Sequence, residues 1–221
     1  MDRSRVAIVI PAYNEADTIS RVIDNVRTFG VPVVVDDGSD DKTAAKAALA
    51  GADVVRLSSN SGYDRALNAG FDRAEKLGCD FIITMDADGQ HEPSSLPAFI
   101  EALEVGAEIS VGIRKSRQRA GEIIFSWFSL ALWGVVDPLC GMKGYRTSLY
   151  RELGHFDSYG SIGTELLIFA ARANRRITNL QIKTYIRQDS PRFGNCLSAN
   201  YRILRALFLG ILCKKNKRTC I

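Results

Sequence analysis

Short apolar runs alternate with amphipathic helical stretches through the first ninety or so residues, and that rhythm leaves few folds open. Val6-Ala7-Ile8-Val9-Ile10-Pro11 is an unbroken apolar run closed by proline, the pattern of a strand buried on both faces. Downstream, Ile19, Val22, Ile23 and Val26 keep the spacing of one helical face. Val31-Pro32-Val33-Val34-Val35 repeats the strand pattern, the alanine-rich residues 42–50 read as a helix, and Asp53-Val54-Val55-Arg56-Leu57 is a third strand. Residues 62–76 are helical again and deliver the chain to Ile82-Ile83-Thr84-Met85, a fourth strand. This order predicts an α/β fold with a mostly parallel central sheet and helices on both faces. Ligands of such sheets bind beyond the carboxyl ends of the strands. Three polar clusters fall there: Tyr13-Asn14-Glu15, Asp36-Asp37-Gly38-Ser39 and Asp86-Ala87-Asp88.

The third cluster carries the most specific chemistry. A strand alternates its faces, so Asp86 and Asp88 project together if the extended geometry persists past Met85. Two carboxylates so placed repel each other unless a cation sits between them or one keeps its proton. Oxygen ligands at a strand end suit Mg²⁺ or Mn²⁺, which commonly also hold substrate phosphates. The competing reading is an acidic turn with Asp88-Gly89 at its tip. Neither a Gly-x-Gly-x-x-Gly fingerprint nor a glycine-lysine phosphate loop follows the first strand, so a site built from these carboxylates needs a metal to meet a phosphate.

Composition narrows the class further. A chain of 221 residues with 46% hydrophobic content can bury a sizeable core, and its net charge of +4 is too mild to indicate nucleic acid. The five cysteines form no Cys-x-x-Cys pair and no disulfide framework, and two histidines, His91 and His155, argue against zinc. The N-terminus lacks the regions of a signal peptide, which reads as a reduced, cytoplasmic protein.

Ile10-Pro11-Ala12-Tyr13-Asn14-Glu15, Val35-Asp36-Asp37-Gly38-Ser39, Ala66-Leu67-Asn68-Ala69-Gly70 and Met85-Asp86-Ala87-Asp88-Gly89-Gln90-His91 together resemble family-2 glycosyltransferases of the GT-A fold. The nearer likeness is to dolichol- and polyprenyl-phosphate sugar synthases and bacterial surface-glycan transferases. Each motif is weak alone; four in the family's order and spacing are strong. The resemblance implies that Pro11, Tyr13, Glu15 and Asp37 hold the nucleotide base and ribose. Asp86 then sits near the ribose or metal, and Asp88 and Gln90 ligate a divalent Mg or Mn ion. Arg114 matches a family arginine after Val-Gly-x, and with Arg117 it would clamp a diphosphate or an anionic acceptor; a solvated basic loop is the alternative. Asp137-Pro138-Leu139-Cys140-Gly141 resembles the segment beside the donor sugar and acceptor, which assigns Asp137, Cys140 and Gly141 to acceptor or sugar binding. Glu165 stands at the family's acidic acceptor-side motif, although the common aspartate before it is Thr164. A hydroxyl acceptor needs a general base, which would be Glu165, whereas a phosphate acceptor arrives ionised. Glu165 as a helix cap is the structural alternative. Arg192 resembles the arginine of a loop over the donor phosphates, although the serine usual beyond its glycine is Leu197.

The most apolar stretch, residues 122–136, reaches about 22 Å as a helix and is too short to span a bilayer. Two readings stay open for it: a helix at a membrane interface, anchored by Trp127 and Trp133, or a core helix. Residues 182–187 read as a late strand and 201–213 as an amphipathic helix, followed by the basic tail 214–221. The expectation is one GT-A domain over residues 1–213, with a nucleotide-binding half (1–90) and an acceptor-binding half (91–213). Its chemistry would be metal-assisted, inverting transfer of a sugar from a UDP- or GDP-sugar to a polyprenyl phosphate or lipid-linked glycan. The catalytic residues would be Asp88, Glu165 and Arg114, and the place of work a peripheral site on the cytoplasmic membrane face. Transfer to a sugar hydroxyl with Glu165 as base is the alternative within the family. A nucleotidyltransferase and a non-catalytic nucleotide-sugar-binding module are the alternatives outside it. Nothing in the sequence speaks to oligomeric state.

Overall fold

The computed structural model describes residues 2–115, 119–183 and 196–212. Strands β1 (Val6–Ala12), β2 (Val31–Asp36), β3 (Asp53–Arg56) and β4 (Phe81–Thr84) pair in parallel in the order β3-β2-β1-β4. Beyond β4 the sheet continues through β6 (Lys143–Arg146) and β5 (Ile109–Ile113) to β7 (Ile177–Gln181). Only β6 runs antiparallel, against both β4 and β5, while β5 and β7 pair in parallel. The sheet is therefore mostly parallel, as the alternation predicts.

The pleat sorts the core into two layers. Val6, Ile8 and Ile10 of β1 point to one face, with Val34 and Ile83 beside them. There they meet α1 (Ile19–Val26) through Ile19, Val22, Ile23 and Val26, and α4 (Leu96–Glu104) through Leu96, Phe99 and Leu103. On this face α2 (Thr43–Leu49) adds Ala47. Ala7 and Val9 point the other way, with Val33, Val35, Ile82 and Tyr145. That face is covered by α3 (Tyr63–Lys76), α6 (Thr147–Leu153) and α7 (Glu165–Arg172). A third, smaller cluster joins Phe125 of α5 (Ala120–Trp133) to Ile203, Ala206 and Leu207 of α8 (Cys196–Leu212).

Three sequence expectations need correction. The extended backbone of β4 ends at Thr84, and residues 87–89 form a turn, so Asp86 and Asp88 are not successive same-face positions of one strand. A strand forms at Ile177–Gln181, where none was expected, with its register set by pairing with β5 from Ile109↔Ile177 to Ile113↔Gln181, and Ile182 and Lys183 lie beyond its end. Residues 184–187 lie outside the described residues, as do Arg117, Arg192 and the tail. The final helix begins at Cys196, five residues before the predicted start at 201.

Gly70 shows how closely α3 lies on the sheet. A Cβ at this position would stand 2.3 Å from Val9 Cγ1 and 3.1 Å from Val35 Cγ2. Ala is otherwise the better helix residue by about 1 kcal/mol, so packing and propensity pull in opposite directions. At 2.3 Å a fixed Cβ must push the helix off two strands, and overpacking wins. Gly70→Ala is expected to lower stability by about 1–3 kcal/mol in urea denaturation, with the slope unchanged.

Candidate active site

Because β2, β1 and β4 are parallel neighbours, the chain leaves all three at the same edge of the sheet. The loop after β1 is pinned to the loop after β2: Asn14 N–H donates to Ser39 Oγ (2.9 Å), Glu15 N–H to Thr43 Oγ1 (2.8 Å) and Asp40 N–H to Asn14 Oδ1 (3.0 Å). Pro11 and Tyr13 are partly exposed above them, and the Glu15 carboxylate, largely buried, accepts from Thr18 Oγ1 (2.8 Å). Asp37 is buried and accepts from the backbone N–H groups of Ser61 (2.7 Å) and Gly62 (2.9 Å), at the entry to α3. Its carboxylate thus stations the start of α3 against the β2 edge.

Asp86 leaves β4 into a close-fitting seat. A Cβ at Gly141 would lie 2.2 Å from Asp86 Oδ2 and 2.7 Å from both Oδ1 and Cγ, so only glycine lets the 141 backbone lie against this carboxylate. His91, itself buried, hydrogen-bonds Asp86 Oδ2 through Nε2 at 2.9 Å. Burial disfavours the Asp86 charge, but the His91 hydrogen bond with the charges of His91, Arg114 and Lys143 holds its pKa below the ordinary carboxylate value. Asp88 closes the following turn by accepting from Gln90 N–H (3.0 Å), and Gly89 takes a positive φ of 74° there. Asp86, Asp88 and the Gln90 amide supply oxygen donors only, which suits a hard divalent cation. Among the described residues no group of three or more His, Cys, Asp or Glu side chains could hold a metal by itself. A cation on these oxygens would need further ligands from outside the protein.

The arginine and aspartate at the next edge position are partners of each other. Arg114 donates Nε to Asp137 Oδ2 (2.8 Å) and Nη2 to Asp137 Oδ1 (2.9 Å), a two-point clamp, and Nη2 also reaches Glu122 Oε2 (3.2 Å). Burial disfavours the Arg114 charge, yet Asp137 and Glu122 outweigh it and raise its pKa. Asp137 is buried, so its observed contact is with Arg114. Cys140 is also fully buried, and burial pushes its thiol up to about 12, which leaves it unreactive.

Lys143 was not singled out in the sequence. It projects from β6 into the site, is almost completely buried, and donates Nζ to the carbonyl of Gly163 (2.9 Å). Burial lowers its pKa to about 8, against the opposing pull of Cys140, Asp137 and Asp86. Gly163 belongs to a loop held by two carboxylates. Asp64 accepts from Gly163 N–H (2.7 Å) and Ile162 N–H (3.3 Å), while Asp157 accepts from Gly160 N–H (2.6 Å) and Ser161 N–H (2.8 Å). Burial and the neighbouring Asp157 raise the Asp64 pKa to about 6. Ile162 has a φ of 58°, an unusual conformation for a β-branched residue, and those hydrogen bonds hold it there. Glu165 opens α7, and both of its oxygens are engaged: Ser158 N–H and Oγ donate to it, and His155 Nε2 lies at 2.9 Å. A cavity of about 480 Å³ lies between this loop, the start of α3 and α8, with Asp64, Asn68, Arg202 and Arg205 in its lining.

Residues 7–154 match the family model described as glycosyl transferase family 2. The chain is 36% identical to the polyprenol monophosphomannose synthase of Mycolicibacterium smegmatis, over 71% of this chain and 68% of that one. It is 30% identical to the dolichyl-phosphate hexose transferase of Haloferax volcanii, over 80% and 81% of the two chains. Among solved structures, glucosyl-3-phosphoglycerate synthase from Mycobacterium tuberculosis, in complex with Mn²⁺, uridine diphosphate and phosphoglyceric acid, superposes with a TM-score of 0.76. That match covers 96% of this chain and 80% of the other at 20% identity, which establishes a shared GT-A fold. The chain belongs to glycosyl transferase family 2 and is a glycosyltransferase.

Proposed function

We propose that this glycosyltransferase moves a sugar from a nucleoside diphosphate sugar to a polyprenyl-type phosphate, with a divalent metal. The observation that carries the donor half is the seat of Asp86 against Gly141, with Asp88 and Gln90 on the next turn and the β1 and β2 loops on the same edge. Pro11, Tyr13, Glu15 and Asp37 then frame the base and ribose in the half formed by residues 1–90. Asp86, Asp88 and Gln90 hold the metal, Mg²⁺ or Mn²⁺. When bound, the ion neutralises the diphosphate that leaves as the glycosidic bond breaks. Arg114, fixed by Asp137 and Glu122, is held in place to donate hydrogen bonds to the same phosphates, with Arg117 and Arg192 as further phosphate ligands. Cys140 and Gly141 shape the wall beside the transferred sugar in the acceptor half, residues 91–213, which with 1–90 makes one domain. The metal complexes of the mycobacterial structure support this arrangement.

The state of Glu165 favours a phosphate acceptor. A hydroxyl acceptor must lose its proton as it attacks, which requires an accessible base. Glu165 is instead occupied by Ser158 and His155, whereas a lipid phosphate attacks already ionised. The names of the two relatives, which pair polyprenol or dolichyl phosphate with a sugar, support the same acceptor class. Among the described residues no helix is long and apolar enough to cross a membrane. The lipid phosphates in the relatives' names support a place of work at the membrane, which we assign to a peripheral site on its cytoplasmic face.

The direct test incubates the protein with radiolabelled UDP- and GDP-sugars, Mg²⁺ or Mn²⁺, and a polyprenyl phosphate in detergent. Label is expected to move into the organic phase, with inverted anomeric configuration. Transfer only to a soluble sugar hydroxyl would overturn the acceptor assignment, and the absence of transfer to any acceptor would leave a binding module. Asp88→Ala is expected to reduce turnover by about a hundredfold or more and to abolish the metal-dependent rise in Tm with the cognate nucleotide.

Lys143 gives a second test, because a buried charge that stabilises a bound anion is costly to the empty protein. Its folded pKa, about 8, lies below the ordinary 10.5, so the unfolded chain holds more protons between these values and stability rises with pH across that window. Lys143→Met is expected to flatten that rise and to match or exceed the parent Tm at neutral pH. Transfer should nevertheless fall by about tenfold. Loss of stability together with activity would reduce Lys143 to a structural role.

A further inference from the structure

Helix α5 is built inside out, and helix α8 beside it is apolar on more than its buried side. On α5 the buried side carries Gly121, Glu122, Phe125, Ser126 and Ser129, while Ile123, Ile124, Trp127, Phe128, Leu130 and Leu132 face outward. Trp127, at the crest of that outward face, is 76% exposed. The buried polar side has a reason: Glu122 joins Arg114 and Arg119, and Gly121 N–H donates to Asn200 Oδ1 on α8 (3.0 Å). The outward side has none among the described residues. Alongside it, α8 buries Ala199, Ile203, Ala206 and Leu207 and presents Tyr201, Leu204, Phe208 and Ile211 at helical spacing, with Phe208 61% exposed. Two helices packed on each other thus both carry exposed apolar side chains, more than the scattered exposed residues of an ordinary soluble domain.

We propose that this α5–α8 surface docks on an anionic lipid bilayer and holds the cavity beneath α8 toward the headgroups. The inference deepens the reading of a lipid-phosphate acceptor and rests on it for its purpose, though not for its test. The charge pattern selects the occupant. Helix α8 contains no acidic residue, and the one acid of α5, Glu122, is buried in its arginine network. Arg202 and Arg205 form a basic flank one step round α8 from the apolar stripe, and both line the cavity. The sequence after α8 adds Lys214, Lys215, Lys217 and Arg218. An apolar face with a tryptophan at its crest and cations at its margin is what an interface of acyl chains below anionic headgroups takes up. A second copy of the chain fits less well, since a two-fold contact through this face would bring like-charged flanks together. A long-chain lipid phosphate held in such a bilayer would present its anionic end at the level of the cavity.

The experiment uses the full chain in a Trp133→Phe background, so that Trp127 is the sole tryptophan. Co-sedimentation with phosphatidylcholine vesicles, with and without phosphatidylglycerol, is measured together with Trp127 emission. Expected are binding to the phosphatidylglycerol vesicles, a blue shift quenched by lipids brominated in the acyl chain, and weakening at high salt. Trp127→Ser with Phe208→Ser, made in the unmodified chain, should reduce binding by roughly tenfold or more while nucleotide binding and Tm persist, because both side chains are exposed. Arg202→Glu should reduce binding to phosphatidylglycerol vesicles only. Absence of vesicle binding, or equal binding by the serine variant, overturns the proposal. So does a parent that sediments as a dimer and becomes monomeric in the serine variant without touching vesicles. Transfer to a short polyprenyl phosphate in detergent needs no bilayer, so failure of the docking surface and failure of the acceptor reading register separately.

Discussion

The hydrogen-bonded pairing of β1 to both β2 and β4 is the constraint on which the rest depends. Its register runs from Ala7↔Val31 to Ala12↔Asp36 on one side and from Val6↔Phe81 to Val9↔Thr84 on the other. With apolar residues on both faces of β1, a slip by one residue would exchange Val6, Ile8 and Ile10 for Ala7 and Val9 and disturb two cores at once. The register is therefore held by packing far more strongly than by any polar contact at the edge. This lets the edge carry a buried lysine, Lys143, whose charge burial disfavours. Parallel strands also end together, so three loops distant in sequence open on one site without any long insertion.

The polar network is a device for keeping charges in place when no ligand is bound. Arg114, Asp137 and Glu122 satisfy one another from three separate segments: the end of β5, the loop before β6 and the buried side of α5. Removing one member of such a group strands the others, which typically costs about 3–5 kcal/mol, so the network also fixes where α5 begins. Asp86 and Lys143 are balanced differently: His91 is the main support of the Asp86 charge, whereas burial of Lys143 outweighs the pull of the acids around it and lowers its pKa. The close approach at Gly141 limits how far the Asp86 carboxylate can swing. Under the proposed donor role, an incoming diphosphate would meet groups already held in place, which is where electrostatic catalysis gains its advantage.

Where sequence reading succeeded and failed follows from the range of the interactions involved. Tyr13, Glu15, Asp37, Asp86 and Asp88 were legible as edge residues because each closes an apolar strand, a signal contained within about a dozen residues. Lys143 was not, since β6 is only Lys143-Gly144-Tyr145-Arg146, has no alternation to announce it, and owes its place to pairing with β4 and β5. Glu122 was hidden inside an apolar run, and only the three-dimensional partner Arg114 explains why the acid faces inward and the isoleucines outward. Asp64 and Asp157 are separated by ninety-odd residues and meet through one loop, a relation no local pattern encodes. The strand Ile177-Thr178-Asn179-Leu180-Gln181 was missed because its polar Thr, Asn and Gln give little alternation, and only its pairing with β5 defines it.

The loop of residues 157–163 ties these observations to the acceptor. Ile162 holds a left-handed conformation that isoleucine avoids, and the loop persists because Asp64, Asp157 and Ser161 bind its backbone from within. Its Gly163 carbonyl takes the Lys143 ammonium, and its Ser158 occupies Glu165. One strained loop thus sets both the position of the buried cation and the engagement of the acidic residue. A transferase that used Glu165 as a base would have to take up a proton there, beside the Ser158 and His155 contacts, in every turnover. One that accepts an ionised phosphate, as proposed, can leave the loop as it stands.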